Sequence, residues 1–269
     1  MHGKLLAACG LSLVLAQAAS AAELPKSGIV ESGALTYGVA ATFPPFEFQK
    51  DGVLTGFDID MIDALGKKLS ATPKPMNMDF QGLIPALAGG RLDLINSAMY
   101  INPQRSEQVD FVPYMTIGEL IIVKKGNPSG ITGRDDSLCG KTISTTLGAI
   151  EETYARQDAE RCKAAGKPEV TVQTLPTGPD TVTSVLQGRA DLMFTSTPGA
   201  AAMLADLSGQ IEAVGKEFDS STHIGMAVRK GDTAMHASIE AALKEIAADG
   251  TYDKLLAKWN LPPTVSPFK

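Results

Sequence analysis

One short phrase occurs twice in the chain. Residues 90–94 read Gly90-Arg91-Leu92-Asp93-Leu94, and residues 188–192 read Gly188-Arg189-Ala190-Asp191-Leu192. Each copy follows apolar residues at helical spacing (Leu83, Ile84 and Leu87; Val182, Val185 and Leu186). Each precedes a short run suited to a buried strand that ends in small hydroxyl residues, Ile95-Asn96-Ser97 and Met193-Phe194-Thr195-Ser196. A helix closed by glycine and followed at once by a strand is half of an α/β unit. Two such units predict two similar α/β lobes. In open α/β sheets ligands bind at the carboxyl ends of strands, so the Ser97 and Ser196 ends are expected on opposite walls of one cleft. Chance is the competing reading, because the phrase uses common residues.

The first residues read as an export signal. His2 and Lys4 give a weakly basic start, residues 5–19 are apolar, and Ala19-Ser20-Ala21-Ala22 offers a small-residue cleavage site. The expectation is a signal peptide at 1–22 and a mature chain exported to the periplasm. Leu6-Ala7-Ala8-Cys9 resembles a lipoprotein box, but it comes before most of the apolar run, so ordinary cleavage is favoured. No later stretch is long and apolar enough to insert in a membrane. Hydrophobic residues make up 44% and charged residues 20%, as in a globular protein. A net charge of −6 without a basic block argues against nucleic acid and anionic membrane surfaces as partners. After signal removal Cys139 and Cys162 remain. In an oxidising compartment they most simply form one disulfide, worth roughly 3 kcal/mol for such a loop, with two buried thiols as the alternative. No histidine lies near them in sequence, so no metal site is expected.

Along the chain, residues 35–40 alternate like a first strand, and the two prolines of Thr42-Phe43-Pro44-Pro45-Phe46-Glu47-Phe48 fix a rigid aromatic turn. A helix is expected over 59–69 with Asp58 as its cap, then a strand over 76–80. Pro103 opens a short turn or helix. Residues 121–126 and 224–231 form two apolar strands that each end in basic residues and glycine, which suits a chain entering and leaving a second lobe. Two helices close the chain before Pro262-Pro263, with Ile239, Ala242, Leu243 and Ile246 sharing one face.

Several segments, in order, resemble the periplasmic solute-binding proteins of polar-amino-acid-type ABC importers (extracellular solute-binding family 3). They are Pro44-Pro45-Phe46-Glu47-Phe48, Gly56-Phe57-Asp58-Ile59-Asp60, Gly82-Leu83-Ile84-Pro85-Ala86-Leu87, Asn102-Pro103-Gln104-Arg105, Val109-Asp110-Phe111, Ala227-Val228-Arg229-Lys230-Gly231 and Ala248-Asp249-Gly250-Thr251-Tyr252-Asp253-Lys254. The resemblance implies a two-lobe α/β fold of the type II periplasmic-binding class, with two hinge strands and a central cleft. Lobe 1 would take 23–118 plus 224–269, and lobe 2 119–223. A small solute would be trapped by closure and delivered to a membrane permease. It further implies that Arg105 grips a ligand carboxylate, as a planar guanidinium can through two contacts. Phe43 and Phe80 would form apolar walls, with Phe46, Glu47, Ser97, Ala98 and Tyr100 beside them.

Three positions depart from the family pattern. Lobe 2 has Leu147-Gly148-Ala149 where the family has Gly-Thr-Thr, leaving helix N–H groups near Gly148 and Ala149 without hydroxyls. Ser196 stands where an Asp pairs with the ligand's α-ammonium, and Tyr100 is larger than the usual Ser or Thr. A buried ammonium needs an anionic partner. The expected ligand is therefore an amino-acid-like, carboxylate-bearing solute with either no free α-ammonium or an unusually placed or alkylated one; an ordinary amino acid stays open, with Glu47 or Glu151 substituting or the aromatics holding the cation. Two other readings use the same scaffold: an enzyme resembling periplasmic prephenate or arogenate dehydratases, and a ligand sensor docking to a receptor. An enzyme needs a positioned acid or base, for which Glu47 and Glu151 are the nearest candidates, and structural carboxylates are the simpler reading. The expectation is a monomeric, non-catalytic binding protein without cofactor.

Overall fold

The computed structural model describes residues 22–268. The expected signal peptide therefore lies, apart from Ala22, outside the described residues. No helix among them is long and apolar enough to cross a membrane.

The chain opens with β1 (Ala34–Val39), buried at every position. A small antiparallel sheet follows, made of β2 (Thr42–Phe43), β3 (Glu47–Lys50) and β4 (Val53–Thr55). A cis bond joins Pro44 to Pro45 between β2 and β3, so the expected aromatic turn is a short hairpin. Gly56 is required as glycine: its φ is +138°, and a Cβ there would fall 2.0 Å from the Phe46 carbonyl oxygen. Helix α1 (Phe57–Lys68) buries Met61, Ile62 and Leu65. Its N-cap is Gly56, with no side-chain bond. Asp58, expected as the cap, lies instead inside the first turn and is fully buried.

Strand β5 (Thr72–Asn77) runs parallel to β1 at the edge of the main sheet, earlier than expected. Pro73 and Pro75 are tolerated there because an edge strand can spare N–H donors. Then come α2 (Leu83–Ala88), the wholly buried β6 (Leu94–Tyr100), α3 (Pro103–Ser106) and β7 (Val109–Lys124). The next segment holds β8 (Thr142–Thr146), α4 (Ile150–Ala164), β9 (Thr171–Leu175), α5 (Gly178–Leu186), β10 (Leu192–Ser196) and α6 (Thr197–Asp206). Strand β11 (Ile211–Arg229) returns antiparallel to β7, and α7 (Thr233–Ala248) and α8 (Thr251–Lys258) close the chain. The main sheet has the order β5-β1-β6-β11-β7-β10-β8-β9. Its two long central strands join a half built from β5, β1 and β6 to a half built from β10, β8 and β9. Their ladder breaks register between Val214 and Phe218 and between Phe218 and Thr222, with Asp219 at φ +48°.

The duplicated phrase does the same work in each half. Gly90 and Gly188 take φ +71° and +70° after α2 and α5. The Asp93 N–H donates to the Thr36 carbonyl (2.8 Å), and its carboxylate accepts from the Thr36 N–H (2.8 Å). Asp191 clasps Thr142 through the same two bonds (2.9 and 2.8 Å). Each aspartate thus fastens the start of its strand to the neighbouring parallel strand. Cys139 and Cys162 are disulfide-bonded, tying α4 to the segment before β8.

Candidate functional site

Strand ends and helix starts from both halves converge on one cavity enclosing about 630 Å³, counting the space open to solvent at its mouth. From the first half it is lined by Phe43, Glu47, Phe80, Ala98 and Tyr100, and from the second by Ala149, Glu151, Thr145, Thr195 and Met203 among others. Most of its surface is apolar.

Glu47 is buried at the start of β3. Its Oε1 accepts from the Ser97 hydroxyl (2.9 Å), which itself accepts from the Ala40 N–H (3.0 Å). Ser97 is therefore a support under the cavity rather than part of its lining. Beneath Glu47, the Asp58 carboxylate accepts from the Tyr114 hydroxyl (2.7 Å) and from the Ala98 N–H (2.8 Å). Ala98 lies on the cavity floor at φ +39°, a left-handed conformation uncommon for alanine that this bond helps to hold. Burial and the nearby Asp58 push the Glu47 carboxyl well above the ordinary carboxylate range, and burial pushes Asp58 up to about 7.

On the opposite wall Glu151 sits in the first turn of α4. Burial lifts its carboxyl to about 7 against the opposing pull of Arg105. Glu119, fully buried on β7, accepts a short hydrogen bond from the Tyr100 hydroxyl. Burial and Glu151 raise it well above the usual range.

Arg105 is positioned by its short helix: Pro103 opens α3, and the Asn102 side chain caps it by accepting from the Arg105 N–H (2.8 Å). The guanidinium is nearly buried and lies 5.3 Å from the Phe80 ring centre. It donates to the Tyr100 carbonyl (2.7 Å) and across to the Gly148 carbonyl (2.9 Å). Arg105 and Gly148 line an adjoining outer cavity of about 1060 Å³, which shares Phe80 and Ala149 with the inner one. Burial draws the guanidinium down to about 10.

Besides Ser97, two expected residues take structural places. Phe46 is fully buried and packs on Phe43 with ring centres 5.2 Å apart. Ser196 caps α6, its hydroxyl accepting from the Gly199 N–H (3.0 Å). Ser196 followed by Thr197-Pro198 is a helix-start pattern, which explains its failure to reach the cavity.

The site also draws on Thr145, Thr195 and Glu119, none of them among the residues expected from sequence. Thr145 and Thr195 line the cavity, so the second wall contains hydroxyl-bearing residues although Ala149 has none. Among the described residues five buried side-chain polar atoms lack a hydrogen-bond partner: Thr145 Oγ1, Thr195 Oγ1 and Glu47 Oε2 on residues that line the cavity, Glu119 Oε2 behind it, and Asn96 Oδ1 away from it. Such atoms are costly, and three of the five belong to residues of the cavity wall. One signal for Glu119 was legible: an acid inside the otherwise apolar run Ile117-Gly118-Glu119-Leu120-Ile121.

Residues 35–262 match the bacterial extracellular solute-binding proteins, family 3. The L-cystine-binding protein TcyJ of Escherichia coli (strain K12) is 32% identical over 235 residues, covering 86% of this chain and 84% of the relative. The structure of an ancestral arginine-binding protein bound to arginine superposes with a TM-score of 0.78 at 38% identity, covering 84% of this chain and 98% of the other. The ancestral amino acid-binding protein AncCDT-1, described as a precursor of cyclohexadienyl dehydratase, superposes with a TM-score of 0.73 at 35% identity, covering 84% and 95%. These relatives are binding proteins. The fold is that of the amino-acid-binding proteins they represent, and the chain belongs to the bacterial extracellular solute-binding proteins, family 3.

Proposed function

We propose that this chain is the amino-acid-binding component of an ABC importer. It takes a ligand carrying one carboxylate and two cationic groups, a dibasic amino acid such as arginine. One observation carries the ligand class: two carboxyls, Glu47 and Glu151, line the inner cavity, and the guanidinium of Arg105 lines the outer cavity that adjoins it. Charge complementarity then asks for more positive than negative charge on the ligand. Phe43 and Phe80 would cover an aliphatic stem, and Thr145 and Thr195 would satisfy its polar end.

This replaces the expectation of a ligand without a standard free α-ammonium. That expectation rested on the missing acid at Ser196, and the cavity supplies acids from Glu47 and Glu151 instead. Ligand capture would close a lobe of 23–118 plus 224–269 on a lobe of 119–223 about the long central strands, as a monomer presented to a membrane permease after export to the periplasm. The match to an arginine-bound structure supports the reading. Cystine is the second candidate, because Met193 and Met203 add soft sulfur atoms to an apolar wall and a cystine-binding relative matches most of the chain.

The test is calorimetric titration with arginine, lysine, glutamine and cystine. Arginine or lysine should bind tightest. Preferential binding of glutamine or another ligand of zero net charge would overturn the dibasic assignment, and cystine in first place would install the second candidate.

A further inference from the structure

Each carboxyl on the cavity wall is backed by a second, buried carboxyl. Behind Glu47 lies Asp58, within hydrogen-bonding reach of it. Behind Glu151 lies Glu119, close enough for the charge of Glu151 to bear on it. Both rear acids are held by tyrosine hydroxyls, Asp58 by Tyr114 and Glu119 by Tyr100. Each couple also contains one buried carboxylate oxygen that no donor meets, Oε2 of Glu47 in one and Oε2 of Glu119 in the other.

Two carboxylates buried side by side cannot both stay ionised without a compensating cation. Tyr37 of β1, Ser97 of β6, Tyr114 of β7 and Tyr252 of α8 face the Glu47–Asp58 couple, and none of these is a cation. Arg105, Arg134, Tyr100, Tyr154 and Asp219 face the Glu119–Glu151 couple. Arg105 is already shared between two carbonyls, and Arg134 is bonded to Asp158 (2.9 Å). A single proton on each couple makes one acid a donor and removes the unmet oxygen.

We propose that the empty cleft carries one proton on each carboxyl couple, and that the cationic groups of the ligand displace these protons to solvent on binding. Each front acid, a neutral carboxylic acid in the empty protein, becomes a carboxylate facing a ligand cation, and its proton leaves to the buffer. Asp58 and Glu119 are positioning residues: they do not touch the ligand, and they set how firmly the front acids hold their protons. The elevated carboxyls described above agree with this. The inference rests on the dibasic reading of the ligand.

Arginine is titrated calorimetrically near neutral pH in buffers of different ionisation enthalpy, and the carboxyl carbons of the ligand-free protein are followed by NMR against pH. The expected result is net proton release on binding, with affinity weakening as pH falls by up to about tenfold per pH unit for each proton displaced. In the ligand-free protein, side-chain carboxyls should titrate near neutrality. Glu119→Gln should reduce the release and change the pH profile while the circular dichroism spectrum is retained, and Asp58→Asn gives the matching result for the other couple. The same heat in every buffer would overturn proton exchange and leave the arginine assignment standing. If arginine fails to bind, the ligand reading falls, and the NMR titration alone decides whether the couples hold protons: carboxyls that all titrate below about pH 5 overturn that too.

Discussion

Arg105 and Gly148 meet across the cleft, the guanidinium of one donating to the carbonyl of the other at 2.9 Å. The residue expected to hold a ligand carboxylate therefore also joins the two walls. Arg105→Ala should weaken binding of any carboxylate ligand by about 100-fold or more, since a charged hydrogen-bonded group is lost from a desolvated site. Arg105→Lys should recover little, because an ammonium cannot reach the Tyr100 and Gly148 carbonyls in one plane. A ligand-induced rise in melting temperature that survives in Arg105→Ala would remove this residue from the site.

The unpartnered hydroxyls give a prediction of mixed sign. Thr145→Val and Thr195→Val each remove a buried polar atom that nothing satisfies. The ligand-free protein should gain up to about 1 kcal/mol in chemical denaturation, while ligand affinity drops several-fold. If stability and affinity fell together, these hydroxyls would be ordinary packing groups.

Stability of the ligand-free protein should depend on pH in an uncommon direction. Asp58 and Glu151 are held up to about 7, whereas in the unfolded chain they titrate near 4. Between those values the native state binds more protons than the unfolded state, so the stabilisation present at low pH is lost as pH rises through about 7. Asp110 and Asp249, held low by Lys230 and Lys68, are ionised in both states across this window and contribute no slope there. Denaturation curves should show a decline of order 3 kcal/mol per carboxyl between about pH 5 and about pH 8, shallower in Glu151→Gln. A flat or rising curve over this range would contradict the burial of unpaired carboxyls.

The two strand clasps can be compared directly. Asp93 is fully buried and accepts from the Thr36 and Val30 N–H groups, whereas Asp191 is half-buried and accepts from the Thr142 N–H and the Ser129 hydroxyl. Asp93→Ala should cost about 3 kcal/mol and Asp191→Ala about half that. Equal losses would mean that burial does not govern the difference.

Opening the Cys139–Cys162 disulfide should lower stability by about 3 kcal/mol. The bond ties α4 to the preceding segment without lining the cavity, so affinity at low temperature should be nearly unchanged. Thermal melts and titrations with and without reductant separate the two effects.

Local patterns carried much of this structure. The glycine-closed helices before 90–94 and 188–192, and the apolar strands after them, follow from periodicity alone. The first part of β11 did not: Glu212, Gly215, Lys216, Glu217 and Asp219 interrupt any alternation, because this stretch pairs with β7 largely outside the core. Asp58 looked like a cap, since an acid at a helix start is the commonest use of that pattern. Its partners, Tyr114 and Ala98, come from strands far along the chain, and local sequence says nothing of them. Ser196 combines the two kinds of signal: the family position implies a ligand contact, and the local Ser-Thr-Pro pattern gives the helix cap that is observed. Glu47 and Glu151 stand out in the sequence as possible substitutes for the missing acid, but their convergence on one cavity is a property of the assembled sheet.

The placement of β11 between β6 and β7 has a consequence for how the chain comes to be folded. Until β11 is synthesised, β6 and β7 each lack a neighbour in the middle of the sheet, and bare apolar edges of that kind invite wrong pairing. That neighbour comes only after the whole segment from β8 to α6. The half of the sheet that begins the chain therefore cannot finish first. It must wait for a long-range pairing, which is the slow kind to form. Truncation before β11 should leave an aggregating fragment rather than a smaller domain.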